Sequence, residues 1–252
     1  MSTNKRRIAT GSISGIGTGL VINYAKEYME LSLNSAISIV KSLITPLILI
    51  FLIINSAVCN AKDLDDQCDL ASKYLNGKGV ELNYEKARQL YIKAAESGSA
   101  RAQNELGIIY VEGKGVERNC SESVKWFNKA VKQNYSKAKY NLALKYYSGT
   151  CVDKDIKKAV KLYSECGSAG IFACMKNAAI IYFNDFNDPV NAFKWSLKAA
   201  ETGDDHFQKQ VGMMYLSGTG VEKNVRKASY WLRQSAAQNN QEAIKIIMSR
   251  GL

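Results

Sequence analysis

The chain has 252 residues, with 34 Lys or Arg against 23 Asp or Glu, and a net charge of +11. Its single histidine, His206, excludes a metal site built from several histidines, and a histidine-based catalytic triad would have to use this residue. Six cysteines beside a signal-like apolar segment favour an oxidising compartment, the alternative being buried reduced thiols in a cytosolic protein.

Residues 1–61 are predicted to form a leader that is separate from the rest of the chain. Its apolar core, residues 43–58, carries no charge, and its length is short for a membrane span but suits a signal peptide. Two interpretations remain open. Translation starts at Met29 and the signal is cleaved after Ala61, or residues 1–42 form a cytoplasmic tail before an uncleaved anchor. Basic residues precede the apolar run, which keeps that side cytoplasmic.

This orientation places residues 62–252 outside the cytoplasm, as a periplasmic, secreted or membrane-anchored domain. Any membrane contact is expected only through the leader. Residues 62–252 retain 29 basic and 21 acidic residues, a net charge of +8, which suits an acidic partner. The basic residues are not concentrated in one helix and no nucleic-acid motif is present, so nucleic-acid binding is not predicted.

Residues 62–252 are predicted to contain five copies of a unit about 36 residues long. A tyrosine recurs in every copy, and a large apolar residue follows it: Tyr74, Tyr110, Tyr146, Tyr182 and Tyr215, then Leu90, Trp126, Leu162, Trp195 and Trp231. A period between 20 and 50 residues is typical of a solenoid, in which each repeat buries its apolar face against its neighbours. We expect repeats near 65–100, 101–136, 137–172, 173–205 and 206–240, and a capping helix over 241–252.

Each copy has the pattern of two antiparallel helices joined by a glycine turn. In repeat two, apolar residues from Ala102 to Tyr110 recur at helical spacing, and Gly113-Lys114-Gly115-Val116 then ends the helix. Repeat four lacks these glycines. There Asp188 is a predicted N-cap and Pro189 the first helical residue after a shortened turn. The sequence therefore predicts an all-α, right-handed α-solenoid.

Repeat two carries the motif Leu106-Gly107-x-x-Tyr110-x-x-Gly113-x-Gly115-Val116, followed by Lys125-Trp126-Phe127-x-Lys129-Ala130. This motif resembles the Sel-one-like repeat family, which is related to tetratricopeptide repeats, and the resemblance extends from about Asp65 to Asn240. It implies stacked helical hairpins and a function in holding proteins together.

The cysteines suggest two disulfides. Cys166 and Cys174 are expected to face each other across a short turn between consecutive helices, and their spacing is similar to that of a cysteine-rich secreted branch of the family. Cys120 and Cys151 lie on the turn edge of adjacent repeats and are expected to pair. Cys68 has only Cys59 nearby: cleavage after Ala61 leaves it free, whereas an uncleaved anchor allows a third bridge.

The concave side of the array is the candidate binding surface if the repeats curve as tetratricopeptide solenoids do. Its predicted partner-binding residues are Arg101, Asn104, Tyr140, Tyr147, Lys176, Phe183 and Lys209. An apolar, aromatic floor beside lysines suits a protein or peptide that carries carboxylates. The alternative is that half of the concave positions serve packing between repeats.

Catalysis is not predicted. Ser136 and Lys139 match the Ser-x-x-Lys motif, and some relatives in the cysteine-rich branch are associated with penicillin binding, but the partner motifs Ser-Asp-Asn and Lys-Thr-Gly are missing. We therefore predict a non-enzymatic protein–protein interaction module without cofactor or metal. An immunity-type neutraliser of an envelope-targeted effector is the alternative binding function, and a cell-wall or β-lactam hydrolase is the alternative enzymatic one.

Overall fold

The computed structural model describes residues 26–27, 29–30, 42, 49–50 and 61–252. The chain divides into two units, Met1–Ala61 and Lys62–Leu252, and the architecture given below is that of the second. Cys59 and most of the predicted apolar core 43–58 lie outside the described residues. Within the described part of the chain, no helix combines the length and apolarity needed to cross a membrane.

All regular structure in residues 61–252 is helical, as predicted. The helices are α1 (61–76), α2 (Tyr84–Glu96), α3 (Ala100–Glu112), α4 (Cys120–Lys132), α5 (Ser136–Ser148), α6 (Ile156–Ser168), α7 (Phe172–Asn184), α8 (Pro189–Glu201), α9 (Asp205–Ser217), α10 (Val225–Ala237) and α11 (Gln241–Arg250). From α2 onward each helix packs on the next one in the chain. Five hairpins, α1/α2 to α9/α10, thus stack into an α-solenoid, and α11 packs on α10 at its end.

The turn inside each hairpin is closed by the residue that caps the second helix. This residue is Asn83, Asn119, Asp155, Asp188 or Asn224, and its side chain accepts a hydrogen bond from the backbone N–H three residues later. Its own N–H donates to the carbonyl of the recurring tyrosine at 2.8–3.0 Å. Repeat four keeps this bond, from Asp188 to Tyr182, across a shorter turn, and Pro189 is the first residue of α8.

The second glycine of the turn also allows the repeats to approach each other. Gly115 and Gly220 have φ values of 67° and 71°. A Cβ on Gly115 would lie 2.4 Å from Cβ of Tyr84, and one on Gly220 would lie 1.9 Å from the carbonyl oxygen of Pro189. Tyr84 and Pro189 each begin the second helix of the preceding repeat, so this glycine provides the space in which the turn of one repeat packs on its neighbour.

Repeat three has a cysteine at the place of that glycine. Cys151 has a φ of 70°, the left-handed conformation of Gly115 and Gly220. It forms a disulfide with Cys120, the first residue of α4, over a Cα–Cα distance of 4.8 Å. A covalent bond therefore joins repeats two and three at the position where other repeats make a close glycine contact.

The buried core has two large parts, one in repeats one and two and the other in repeats three to five. One includes Tyr91 and Trp126 from repeats one and two, and the other includes Tyr163 and Trp195 from repeats three to five. A small cluster lies between them: Phe127, Ala130, Ala138 and Leu142. Trp126 and Trp195 are buried, consistent with the packing role expected from their periodic recurrence.

Candidate interaction groove

Three clefts follow one another along the first helices of repeats two to five. The first, about 260 Å³, is lined by Asn104, Ile108 and Tyr140, among others, from α3 and α5. The second, about 120 Å³, includes Leu144, Tyr147 and Ile180 from α5 and α7. The third, about 480 Å³, includes Lys176, Phe183 and His206 from α7 and α9, and it shares Ile180 with the second. We call this row of clefts the inner groove.

Five of the seven predicted partner-binding residues line the inner groove. They are Asn104, Tyr140, Tyr147, Lys176 and Phe183. Its apolar residues remain accessible, since Leu144, Ile180 and Phe183 are 38%, 39% and 47% exposed. The groove therefore offers exposed apolar side chains at successive repeats.

Arg101 and Lys209, the other two predicted residues, form ion pairs with neighbouring repeats. Arg101 reaches Asp69 on α1 at 2.6 Å, and Lys209 pairs with Glu242 on α11. The hydrogen bond from Lys209 lowers the pKa of the Glu242 carboxyl group. These two cations are thus occupied at the two ends of the array, which agrees with the alternative that some concave positions serve packing.

Asn104 also has a structural role in addition to lining the first cleft. Its side chain is 1% exposed, and its Oδ1 accepts a hydrogen bond from Nδ2 of Asn141 at 2.8 Å. Its own Nδ2 donates to Oε1 of Glu105 at 3.1 Å. Because Asn104 and Asn141 lie on α3 and α5, this amide pair connects repeats two and three beneath the groove.

The third cleft combines positive charge with aromatic walls. Lys176 is exposed, and it makes no ion pair or hydrogen bond within the described chain. Phe172 and Phe183 lie on the same helix, and His206 lines the cleft from α9. Asp204 contributes the cleft's carboxylate, but that group caps α9 by accepting the N–H of Phe207 at 2.9 Å. The arrangement suits a ligand with an apolar part and a carboxylate near Lys176.

Tyr147 adds a neutral donor between the second and third clefts. Its hydroxyl lies 3.5 Å from Oδ2 of Asp185. Burial, and then the carboxylate of Asp185, raise the pKa of Tyr147. The phenol therefore stays protonated at neutral pH and is able to donate a hydrogen bond.

Comparison with known proteins identifies the repeat. A family model described as the Sel1 repeat matches residues 65–99, 100–135, 136–169, 173–204 and 206–240. The chain belongs to the Sel1 repeat family. The resemblance inferred from the motif in repeat two is confirmed, and so is the number of repeats.

Solved structures with the same fold include two similar chains. A protective antigen of uropathogenic Escherichia coli, which displays an SLR fold, is 30% identical with a TM-score of 0.67, over 75% of this chain and 42% of that one. A Sel1 repeat protein from Oxalobacter formigenes is 32% identical with a TM-score of 0.57, over 73% and 74%. A sel1-like repeat-containing protein of Acanthamoeba polyphaga mimivirus is 48% identical over 42 residues, 17% of this chain and 7% of that protein. The chain thus spans less than half the length of the E. coli and mimivirus proteins.

Two disulfides join neighbouring elements of the Sel1 repeats, and they are the two pairs predicted from the sequence. Cys120–Cys151 links repeats two and three, and Cys166–Cys174 links α6 to α7 over a Cα–Cα distance of 5.8 Å. Cys68 is a buried thiol whose Sγ lies 3.6 Å from Oγ of Ser99. Burial raises its pKa, so this group stays a neutral thiol at pH 7.

Ser136 and Lys139 do not form a nucleophile–base pair in this Sel1 array. Lys139 donates to Oδ1 of Asn134 at 3.0 Å and forms an ion pair with Glu165 at 2.8 Å. Among the described residues, no hydrogen bond joins Ser136 to Lys139, and Ser136 is simply the first residue of α5. His206 is exposed, lines the third cleft and contacts the ring of Phe207.

The sequence pattern missed six residues that line the third cleft: Phe172, Ala179, Asn184, Asp204, Phe207 and Gln210. Three of them, Phe172, Asn184 and Gln210, lie four positions from the cleft residues Lys176, Ile180 and His206. One further turn of α7 and of α9 therefore faces the groove, and a wider helical stripe in the sequence pattern would have included it.

Proposed function

We propose that this chain is a non-enzymatic protein–protein interaction module that binds a protein or peptide along the inner groove. The observation that carries the proposal is the run of three adjoining clefts on the first helices, with exposed apolar side chains at successive repeats. Peptide recognition of this kind uses several apolar anchors in register with one or two charged contacts.

The chemistry of the third cleft favours a partner with a carboxylate. Lys176 lines that cleft and forms no ion pair within the described chain, whereas Arg101 and Lys209 form ion pairs with Asp69 and Glu242. An acidic side chain that reaches Lys176 would place its neighbours against Phe172 and Phe183. The preferred ligand is therefore an apolar segment or helix with an acidic residue, bound at repeats three to five.

We also propose that the repeats act outside the cytoplasm, exported or tethered by the leader. The support is the presence of two disulfides in one chain, since such bonds persist in oxidising compartments.

Site-specific photocrosslinking tests the groove. A photoreactive phenylalanine analogue in place of Phe183 should capture a discrete partner, while the same analogue at Tyr230, which is 56% exposed on α10, should not. Equal capture at both positions would reject the groove. The identity of the captured protein separates a scaffold from a neutraliser, because a neutraliser captures a toxic effector.

Charge reversal tests the role of Lys176. Replacing Lys176 by Glu turns an attraction into a repulsion and should weaken binding of the captured partner about 5- to 30-fold, or ~1–2 kcal/mol. Lys223→Glu, at an exposed lysine in the turn of repeat five, is the matched control and should leave affinity unchanged. Unchanged affinity for Lys176→Glu contradicts the proposed carboxylate contact.

A further inference from the structure

The net charge of the repeats is located on the second helix of each hairpin. Helices α2, α4, α6, α8 and α10 together carry 14 basic and 5 acidic residues, a net charge of +9. The first helices α1, α3, α5, α7 and α9 carry 8 basic and 7 acidic residues, a net charge of +1. The side of the array that is formed by the second helices is therefore the more basic one, since the four first helices that hold the inner groove, α3, α5, α7 and α9, carry 6 basic and 3 acidic residues, a net charge of +3.

The lysines occupy equivalent positions in successive repeats. The sixth residue of the second helix is Lys125, Lys161 or Lys194 in repeats two to four, and the tenth is Lys93, Lys129 or Lys198 in repeats one, two and four. Equivalent positions of stacked repeats align into rows. We define the lysine face as the six lysines of these two rows together with Lys157. Six of these seven lysines are exposed, and Lys198 is half-buried.

Few carboxylates oppose the lysine face. Glu122 pairs with Lys125 at 2.9 Å, and Glu165, the acidic residue within the rows, is already paired with Lys139 from α5 at 2.8 Å. Lys129 and Lys198 lie over the rings of Trp126 and Trp195, at 3.8 Å and 5.0 Å from the ring centroids, contacts that leave their charge in place. Most of the positive charge on this face is therefore not neutralised.

Folding accounts for only part of this arrangement, since Lys129 and Lys198 contact tryptophan rings and Lys125 pairs with Glu122. Lys125 and Lys129, Lys157 and Lys161, and Lys194 and Lys198 are pairs separated by four residues on one helix. Like charges at this spacing destabilise a helix. The spacing recurs in the second helices of three successive repeats, α4, α6 and α8, and the side chains of Lys157, Lys161 and Lys194 have no compensating ion pair or hydrogen bond within residues 61–252. We therefore look for the explanation of these exposed charges in a ligand.

We propose that the lysine face binds the surface of a bilayer that contains anionic phospholipids. Of the 14 basic residues on the second helices, 11 are lysines and 3 are arginines. The mobile ammonium group of lysine suits a diffuse layer of headgroups, whereas a bidentate site for one phosphate or carboxylate favours arginine. A protein partner calls for apolar or aromatic anchors. In α2, α4, α6 and α8, which carry the lysine face, no large apolar residue occupies the sixth or tenth position, and in α10, outside this face, Tyr230 occupies the sixth. Binding in this orientation leaves the inner groove open to a second partner. It also adds a membrane contact to the one expected through the leader.

Vesicle co-sedimentation of the full chain tests this surface. Binding should be stronger to phosphatidylcholine vesicles containing phosphatidylglycerol than to phosphatidylcholine alone, and the difference should shrink at high salt. Neutral vesicles measure the contribution of the apolar leader. No preference for the anionic vesicles would overturn the proposal.

A matched pair of variants assigns the preference to the lysine face. The test variant replaces five exposed lysines that lie over no aromatic ring: Lys93→Gln, Lys125→Gln, Lys157→Gln, Lys161→Gln and Lys194→Gln. The control variant replaces five exposed lysines elsewhere in the repeat unit: Lys62→Gln, Lys73→Gln, Lys78→Gln, Lys223→Gln and Lys245→Gln. Both lose the same net charge.

Each lysine that contacts an anionic surface contributes about 1 kcal/mol to binding. With two or three of the five replaced lysines in contact with the vesicle, the partition coefficient of the test variant should fall roughly 30- to 160-fold. The control variant should change it much less. Equal losses in both variants would show that net charge and not this face is responsible, and binding to heparin or DNA without binding to vesicles would assign the face to another polyanion. Either outcome overturns the proposal. Circular dichroism of both variants verifies that the helices are intact.

Discussion

Gly220→Ala should destabilise the array because the new methyl group has no space. Its Cβ would lie 1.9 Å from the carbonyl oxygen of Pro189, a backbone atom that cannot turn away. The residue also has a φ of 71°, which costs an alanine about 1–2 kcal/mol. Forcing the turn away from α8 adds about 1–3 kcal/mol, the usual cost of overpacking.

Gly79→Ala is the matched control for the steric part of this cost. Gly79 is at the equivalent position of repeat one with a φ of 76°, but a Cβ there meets nothing within 4 Å. The left-handed conformation lowers the stability of both variants, whereas the contact with Pro189 lowers the stability of Gly220→Ala alone. The difference of about 1–3 kcal/mol corresponds to a Tm lower by roughly 2–12 °C for Gly220→Ala than for Gly79→Ala.

Thermal unfolding followed by circular dichroism measures this difference in the oxidised protein. Hydrogen exchange of α8 and α10 locates it, since these helices flank the altered turn. Equal Tm values for the two variants would refute the reasoning, because they would show that the repeats do not pack through this glycine.

Two further predictions concern the disulfide between repeats and a buried phenol. The double variant Cys120→Ser, Cys151→Gly opens a link between residues 31 apart, which by chain entropy costs about 3.5 kcal/mol. Glycine regains about 1–2 kcal/mol at the φ of 70° of position 151, so stability should fall by about 2 kcal/mol, and a denaturation midpoint equal to that of the oxidised wild type would contradict a stabilising role. Burial raises the pKa of Tyr163 to about 12, and a raised folded-state pKa gives stability that is complete below the unfolded value of about 10 and is lost as the pH rises from 10 to 12. The difference between the ultraviolet titrations of the wild type and of Tyr163→Phe isolates this phenol among the 14 tyrosines. The difference should be centred near pH 12, and a difference centred near pH 10 with the helices intact would contradict the assignment.

The fold could be predicted from the sequence because the same kinds of local sequence signal recur along the array. Asn134 and Asn239, which follow α4 and α10, have φ values of 59° and 65°, a conformation that asparagine tolerates, and Asp188 caps α8 ahead of Pro189. These signals lie within a few residues of the structure they specify. Five copies of them leave little doubt about the period, and the stacking then follows from the need to bury each apolar face.

The groove was harder to predict because its chemistry depends on pairs of residues from different repeats. Arg101 and Lys209 have the right position for a groove cation, yet Asp69 and Glu242, 32 and 33 residues away, occupy them. In each pair, the separation in sequence equals the repeat length of about 36 residues minus one helical turn of about 3.6 residues. That spacing is visible in the sequence only once the stacking of the helices is known.

The cysteine in the turn of repeat three has a consequence for the length of surface that the protein can present. Between repeats two and three the core narrows to the small cluster of Phe127, Ala130, Ala138 and Leu142, and the amide pair of Asn104 and Asn141 joins the same two repeats. The Cys120–Cys151 bond crosses this seam on the opposite, turn edge of the array. The alignment of the inner groove across repeats two and three therefore depends on apolar burial and also on the redox conditions that keep this disulfide formed.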